Sequence, residues 1–253
     1  MPLTVHQFPC LSDNYGFLAH DEASGKTACI DTPEAAPILA ALKARGWTLD
    51  VILNTHWHPD HAGGNVEIVK ATGATVVGPA EVTKLTPIDR EVKGGDVVML
   101  GETRLDVIET GGHTLGHIAY FDAADRIAFV GDTLFALGCG RLFEGTAEQM
   151  WTSLQRLAAL PDDTTVYCAH EYTASNARFA LSVDDAPALK ARAAEIFAMR
   201  ERGEPTVPTT IGLEKATNPF LRAPALAGRV GAAGEADYKA FGAVRAAKDL
   251  FKG

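Results

Sequence analysis

Residues 55–61 read Thr55-His56-Trp57-His58-Pro59-Asp60-His61 and directly follow the apolar run Val51-Ile52-Leu53. The apolar run predicts a short buried strand, so the loop that leaves this strand carries three imidazoles and one carboxylate. Imidazole and carboxylate groups are the ligands that Zn²⁺ and similar divalent ions prefer. Four such side chains within six residues predict a metal site rather than a surface patch of solvated histidines.

The composition and charge predict a globular protein that binds neither nucleic acid nor membranes. The chain has 253 residues, of which 47% are hydrophobic and 22% charged, enough for one large domain or a domain with an appendage. Its net charge of −9 repels a phosphate backbone. No leader-like segment opens the chain, and no apolar run could span a bilayer, so we expect a cytoplasmic protein. The four cysteines are scattered, which predicts reduced thiols.

Short β-branched runs bounded by Gly, Pro or Asp predict strands through the first two thirds of the chain. These runs are Phe17 to His20, Thr27 to Ile30, Val51 to Leu53, Thr75 to Val77, Val97 to Leu100, Leu105 to Ile108, Ile127 to Val130 and Thr165 to Cys168. Helices are predicted between them at Pro33 to Arg45, Asn65 to Ala71 and Ala147 to Leu160. Thr146 and Gln149 predict a capping box for the last helix.

The predicted secondary structure changes after Tyr172, from mainly strands to helices. Helices are predicted from Pro187 to Arg200 and from Ala236 to Phe251, with no strand of comparable strength between them. We therefore predict two domains, residues 1–172 with the metal site and residues 173–253 with helices, joined near residues 172–186.

Other candidate ligands also follow predicted strands. His113 lies beyond Leu105 to Ile108, Asp132 directly follows Ile127 to Val130 and Gly131, and His170 follows Thr165 to Cys168. Rigid strands can bring such groups to one edge of packed sheets, while loops supply the side chains. Taken singly, Asp132 would be assigned to a turn and His170 to a half-buried packing role, but the shared pattern favours a metal role for both.

The number of candidate ligands predicts two ions. They are His56, His58, Asp60, His61, His113, Asp132 and His170. Seven ligands exceed the four of one tetrahedral site but suit two adjacent ions that share a carboxylate. His117, four residues after His113, is assigned to the supporting shell or to packing.

Several motifs resemble one family. The run at residues 55–61 and the segments containing His113, Asp132 and His170 resemble the metallo-β-lactamase superfamily. Four further segments narrow the resemblance to the glyoxalase II, or hydroxyacylglutathione hydrolase, family. These segments are Gly138 to Gly145, His170 to Thr173, Asn218 to Arg222 and Arg245 to Asp249.

The resemblance implies an α/β (α+β) fold, a four-layered αββα sandwich followed by a small helical C-terminal domain. It implies that His56, His58 and His113 hold one metal, that Asp60, His61 and His170 hold the other, and that Asp132 bridges them. Asp60 and Asp132 would be the catalytic carboxylates, with Asp60 orienting the nucleophile.

The resemblance also implies a glutathione site made by Arg141, Tyr172, Arg245 and Lys248. Arg245 and Lys248 are three residues apart on a predicted helix, so they project from one face and can hold a carboxylate together. The alternative is that Arg245 and Lys248 belong to a solvent-exposed, charged side of the helix and bind no ligand. At Phe143 the family often has tyrosine, so a hydroxyl contact to glutathione is expected to be missing here.

The implied activity is hydrolysis of S-D-lactoylglutathione to D-lactate and glutathione, the second step of methylglyoxal detoxification. The implied cofactors are two divalent ions per chain, with Zn²⁺ favoured over Fe or Mn. The implied partner is a small-molecule substrate, and we expect a monomer. Two alternatives remain, a mononuclear iron glutathione-persulfide dioxygenase of the same fold and a non-enzymatic binding module braced by metals.

Overall fold

The computed structural model describes residues 2–253. These residues form two compact units. The first unit runs to Glu109 and also contains Gly116–Gly131, and the second contains Thr110–Leu115 and Asp132–Gly253. Among the described residues, no helix has the length and apolar character needed to cross a bilayer.

The first unit contains a mixed six-stranded sheet whose spatial order follows the sequence. Its strands are β1 (Leu3–Cys10), β2 (Asn14–Asp21), β3 (Lys26–Ile30), β4 (Val51–Leu53), β5 (Thr75–Gly78) and β6 (Arg90–Glu91). Strands β1 to β3 pair antiparallel, and β3 to β6 pair parallel. The parallel half directs the carboxyl ends of β3 and β4 toward the same edge, where the loop at residues 55–61 begins.

Four antiparallel strands make a second sheet layer in this unit. They are β7 (Val97–Leu100), β8 (Thr103–Glu109), β9 (Ile118–Asp122) and β10 (Ile127–Gly131). The ring of Phe129 on β10 lies 6.0 Å from that of Phe17 on β2. The hydroxyl of Tyr120 donates to the carbonyl of Asn54 at 2.9 Å, so the two layers share a buried interior.

Helices cover the first sheet. They are α1 (Ala35–Arg45), α2 (Pro59–Ala62) and α3 (Asn65–Thr72), with a 3₁₀ turn at Ala80–Lys84. Ile38 of α1, Ile68 of α3 and Ile52 of β4 share one buried cluster. Helix α1 ends at Gly46, whose φ of 69° suits a residue without a Cβ atom.

The second unit is mainly helical. Its helices are α4 (Ala147–Ala158), α5 (Thr173–Val183), α6 (Pro187–Glu201), α7 (Ile211–Thr217), α8 (Ala223–Leu226) and α9 (Asp237–Leu250). Its strands are β11 (Leu134–Phe135), β12 (Gly138–Cys139), β13 (Thr165–Cys168) and β14 (Thr209–Thr210). The predicted capping box of Thr146 and Gln149 is present at the start of α4. Helix α5 packs on α6, and α9 packs on both α4 and α8.

The structure corrects three sequence-based expectations. The segment at residues 172–186, where the two domains were predicted to join, contains α5. Its Ser and Asn residues have weak helix propensity, so the sequence does not show the helical pattern of its buried residues. Strands β1 and β9 were not predicted. The edge strand β1 does not alternate regularly between buried and exposed residues, and β9 has no alternation because all of its residues are buried. The C-terminal part adds β14, a two-residue strand that pairs with β13.

Candidate metal centre and substrate pocket

The histidine-rich loop of the first unit brings its ligand atoms together in pairs. His56 Nε2 lies 3.1 Å from His58 Nδ1, and His61 Nε2 lies 3.5 Å from Asp60 Oδ2. The local sequence explains this arrangement, because Pro59 at the first position of α2 turns the chain just after His58. His56 and His61 are buried, whereas His58 and Asp60 are half-buried.

Asp31 supports this loop from the end of β3. Its Oδ2 lies 2.8 Å from His61 Nδ1, and its two oxygens accept the backbone N–H and the hydroxyl of Thr55. This contact makes Nδ1 the protonated nitrogen of His61, so Nε2 is the nitrogen that could accept a metal ion. Sequence reasoning missed Asp31, although its place directly after a buried strand was the same signal that identified Asp132.

His117 lies in the first unit, just before β9, and is fully buried. Its ring stacks on that of His56, with centroids 4.7 Å apart. A Cβ atom at Gly131 would lie 2.7 Å from His117 Nε2, so this position requires glycine, which also has a φ of 49°. His117 therefore packs against one of the predicted ligands.

In the second unit, one carboxylate faces two imidazoles. Asp132 Oδ2 lies 3.3 Å from His113 Nε2, and Asp132 Oδ1 lies 3.3 Å from His170 Nε2. His113 Nδ1 donates to the carbonyl of Arg141 at 2.8 Å, which turns Nε2 toward Asp132. Each oxygen of Asp132 thus has its own imidazole, the arrangement expected of a carboxylate shared between two ions.

These donor sets fit divalent metal ions. With metal–ligand bonds of about 2.1 Å, neighbouring ligand atoms of a tetrahedral site lie about 3.4 Å apart. The two pairs in the first unit and the two in the second lie 3.1 to 3.5 Å apart. The donors are imidazole nitrogens and carboxylate oxygens, which accept Zn²⁺, Fe and Mn²⁺.

The second unit also contains a cavity of about 350 Å³ that includes His113 and Asp132 in its wall. All the residues predicted to bind substrate line it, namely Arg141, Phe143, Tyr172, Arg245 and Lys248. The sequence therefore identified side chains that share one wall with part of the candidate metal centre.

Asp249 organises two of the basic groups, and sequence reasoning gave it no role. Its Oδ1 accepts from Arg245 Nη2 at 2.9 Å and lies 3.5 Å from Arg141 Nε. Arg245 is buried, donates to the carbonyl of Cys139 at 3.0 Å and lies over the ring of Phe220. These contacts hold the guanidinium of Arg245 in one orientation.

Lys248 is half-buried in the cavity wall. Its Nζ lies 3.2 Å from the carbonyl oxygen and 3.3 Å from the hydroxyl of Ser175, and it lies over the ring of Phe179. Burial, followed by the positive charges of Arg245 and Arg178, lowers the pKa of Lys248 to about 8. The charge of this side chain therefore changes within an accessible pH range.

Three aromatic rings, those of Phe135, Phe143 and Tyr172, also line the cavity. Tyr172 stacks on His170 with an interplanar angle of 3°, and the ring of Phe135 meets both edge-on. Phe143 is 60% exposed and its ring meets His113 edge-on, with Arg141 at 5.8 Å from the ring centre. The side chain at position 143 thus contacts a predicted metal ligand and a predicted glutathione ligand without offering a hydroxyl.

Comparisons with known proteins identify the family of the chain. Residues 22–170 match the family model of the metallo-beta-lactamase superfamily, and residues 171–251 match that of the hydroxyacylglutathione hydrolase C-terminus. The chain belongs to the hydroxyacylglutathione hydrolase family. Its predicted α/β (α+β) fold class is thereby confirmed.

Two relatives of the family are similar over their full length. A hydroxyacylglutathione hydrolase of Erythrobacter litoralis is 60% identical, with 98% of this chain and 100% of the relative covered. One of Maricaulis maris is 56% identical, with 98% and 99% covered. Among solved structures, ETHE1 from Myxococcus xanthus has a TM-score of 0.67 and 28% identity, with 91% of this chain and 89% of that chain covered.

Membership of the hydroxyacylglutathione hydrolase family confirms that the chain is an enzyme of the thioester-hydrolase type. The alternative of a non-enzymatic binding module is not supported. The persulfide dioxygenase alternative has less support than the hydrolase, because the match to the hydroxyacylglutathione hydrolase C-terminus covers the helical end of the chain.

Proposed function

We propose that the protein hydrolyses S-D-lactoylglutathione, and related S-2-hydroxyacylglutathiones, to the 2-hydroxy acid and glutathione. The reaction would be the second step of methylglyoxal detoxification and would depend on two divalent ions, with Zn²⁺ favoured. The observation that carries the proposal is the position of Asp132, which lies in the wall of a basic cavity and has one carboxylate oxygen near His113 and the other near His170. Family membership supports the choice of substrate class.

The ligand assignment is part of this proposal. His56, His58 and His113 would hold one ion, and Asp60, His61 and His170 the other, with Asp132 shared. The spacing of donor atoms within each unit supports the assignment. His56 and His58 form one close pair, Asp60 and His61 form another, and Asp132 has one oxygen near His113 and one near His170.

The bound ions would supply Lewis acidity toward the thioester carbonyl and a water nucleophile that is ionised near neutral pH. Asp60 would orient that water. Its half-buried carboxylate, which accepts a hydrogen bond of 3.2 Å from the Asn14 amide, supports this role. Asp31 keeps His61 in the tautomer that can serve as a ligand.

The cavity suits an anionic thiol carrier. Arg141, Arg245 and Lys248 line the cavity, and their cationic groups can donate charge-assisted hydrogen bonds to carboxylates, of which glutathione has two. Tyr172 adds a hydroxyl, while Phe143 offers only an apolar ring. These residues would bind the glutathione moiety and direct the acyl group of the thioester toward His113 and Asp132.

A cysteine nucleophile is not needed and does not fit. Cys139 lines the cavity, but burial raises the pKa of its thiol to about 11. A thiol with this pKa is almost entirely protonated at neutral pH and is a weak nucleophile. Water is therefore the proposed nucleophile.

The cytoplasmic location, the monomeric state and the two-domain division at residues 172 and 173 stay predictions. The mononuclear dioxygenase remains the competing activity for the same fold, and it differs in requiring one iron and molecular oxygen.

A steady-state assay tests the proposal. Metal-loaded protein is assayed with S-D-lactoylglutathione and with a D-lactoyl thioester of a small thiol that lacks the glutathione peptide, and bound metal is counted by elemental analysis. The second substrate cannot form the charge-assisted hydrogen bonds of the two peptide carboxylates, so its kcat/KM should be lower by about 100-fold or more. Equal kcat/KM values, or oxygen uptake with glutathione persulfide by protein holding one iron, would reject the proposal.

A further inference from the structure

The hairpin of β11 and β12 is buried throughout and connects two parts of the site. Its residues 135–139 lie between Asp132 and Arg141 in the chain. The turn residue Leu137 has a φ of 56°, in the left-handed region that L side chains rarely adopt. Because water does not reach this turn, its backbone N–H and C=O groups need partners from the protein.

One amide spans the hairpin. Asn218 Nδ2 donates to the carbonyl of Phe135 at 3.1 Å and to that of Gly138 at 2.9 Å. Its Oδ1 accepts from the backbone N–H of Phe220 at 2.9 Å, which fixes the end of the amide that faces the hairpin. A carboxylate at this position would place oxygen against two carbonyl oxygens, so the position specifies an amide.

The remaining turn groups are bonded in the same way. Every residue from 135 to 139 has a backbone group bonded to one of four side chains, Asn176, Glu214, Asn218 and Arg245. The shape of the hairpin is therefore set by side chains from the helices and loops of residues 173–253.

The carboxylate of Glu214 bonds to both the hairpin and neighbouring side chains. Glu214 is fully buried, and its Oε2 accepts from the backbone N–H of Leu137 and from Asn218 Nδ2, each at 2.9 Å. Its Oε1 accepts from the guanidinium of Arg192 and from the hydroxyl of Thr209. A buried ion pair with every lone pair used is rigid, and removing one partner leaves an uncompensated charge.

The hairpin places side chains of the site. The ring of Phe135 contacts His170 and Tyr172, with ring centres 5.9 and 5.6 Å apart. Asp132 lies three residues before Phe135, and Arg141 two residues after the end of β12. A shift of the hairpin would therefore move a proposed metal ligand and a proposed glutathione ligand together.

We infer that Asn218 and Glu214 are positioning residues that hold the active-site hairpin in shape and thereby place Asp132 and Arg141. The inference rests on the proposed function for two points, the metal ion that Asp132 would bind and the ligand that Arg141 would bind. A residue that merely stabilises the second unit would leave metal affinity and glutathione affinity unchanged in the folded protein, whereas these residues control both.

The test compares Asn218→Ala with Leu157→Ala, which truncates a buried side chain in α4 that makes no hydrogen bond to the hairpin. Zn²⁺ affinity is measured by competition with a chromophoric chelator, and glutathione affinity by calorimetry, on protein shown to be folded by circular dichroism. We expect Asn218→Ala to weaken both affinities about tenfold. Leu157→Ala should lower the melting temperature and leave both affinities within about twofold of wild type.

A measurement on the wild-type protein covers the case in which Asn218→Ala does not fold. Hydrogen exchange should show the Leu137 amide among the slowest in the second unit, because it donates to a buried carboxylate. Fast exchange at Leu137, or a folded Asn218→Ala protein with wild-type affinities, overturns the inference. If wild-type protein fails to hydrolyse S-D-lactoylglutathione while Asn218→Ala still has weakened Zn²⁺ affinity, the proposed function fails and the positioning role stands.

Discussion

A hydrogen bond of 2.8 Å joins Asp31 Oδ2 to His61 Nδ1, although the two residues are 30 positions apart in the chain. Both side chains are buried, and the same carboxylate accepts two hydrogen bonds from Thr55. The hydrogen bond sets the tautomer of His61 and points Nε2 toward Asp60. One carboxylate outside the recognised motif thus prepares a proposed ligand for metal binding.

Replacing Asp31 should weaken metal binding. In Asp31→Asn, the amide cannot accept from both Thr55 and His61 with the strength of a carboxylate, so the imidazole no longer has a fixed tautomer. We expect Zn²⁺ affinity to fall by about 10- to 100-fold, as measured by chelator competition. Asp50→Asn is the control, because Asp50 accepts from Lys26 and Thr27 on the same sheet. Equal affinities in the two variants would contradict the role given to Asp31.

Removing the charge of Lys248 should raise KM. Lys248→Met eliminates a charge-assisted hydrogen bond worth about 1.5 kcal/mol or more, which corresponds to about tenfold in KM. Because this bond is made equally before and during the reaction, kcat should change little. Lys239→Met removes an exposed charge from the same helix and should leave KM unchanged. A large fall in kcat with unchanged KM for Lys248→Met would exclude its role as a glutathione anchor.

The affinity for glutathione should fall at alkaline pH. The pKa of Lys248 is lowered to about 8, so the side chain is cationic below this pH and becomes neutral above it. Attraction to a substrate carboxylate is present at pH 7 and disappears as pH rises through 8. Between pH 7 and pH 9, KM should rise by up to about tenfold, since each pH unit above the pKa reduces the charged fraction about tenfold.

The matched variant for this pH effect is Lys248→Arg, because a guanidinium keeps its charge throughout the range. Its KM should stay flat from pH 7 to pH 9. A rise in KM of the same size in both proteins would show that a group other than Lys248 is responsible.

A hydroxyl at position 143 should strengthen substrate binding. The ring of Phe143 is 60% exposed at the cavity wall, so a tyrosine hydroxyl can be added there without burying an unsatisfied polar group. Phe143→Tyr should lower KM by about two- to tenfold, the effect of one hydrogen bond of about 0.5 to 1.5 kcal/mol. Tyr172→Phe, which removes the hydroxyl already present, should raise KM by a similar factor. No change in KM for Phe143→Tyr would show that glutathione does not pass close to this ring.

Sequence patterns predicted the parts of the site that are encoded by residues close together in the chain. The run at residues 55–61 and the strand ends before Asp132 and His170 carry their signal in a few neighbouring residues. A strand of apolar residues must be buried, so the polar group that follows it is brought to the edge of the sheet. The basic residues of α9 were identified through the family resemblance, and the structure places them in the wall of the cavity.

Other residues could not be assigned from local patterns. Asp249 resembles an ordinary charged residue near the end of a helix until its contacts with Arg245 and Arg141 are known. Asn218 lies 83 positions from Phe135, whose carbonyl it binds. The same limit applies to α5, where buried Asn176 and Thr173 weaken the helical pattern in the sequence but bond or pack inside the unit.

The order of apolar runs and polar loop residues predicted most strands and the candidate metal ligands, because burial and ligand type can be recognised along short segments. The resemblance of the motifs to a known family supplied the fold class and the family. Tertiary structure alone determined which ring nitrogen of His61 faces Asp31, which ring nitrogen of His113 faces the carbonyl of Arg141, and how the β11–β12 hairpin keeps its shape. These features depend on hydrogen bonds between residues far apart in the chain, and such bonds require distances and angles that only the folded backbone defines.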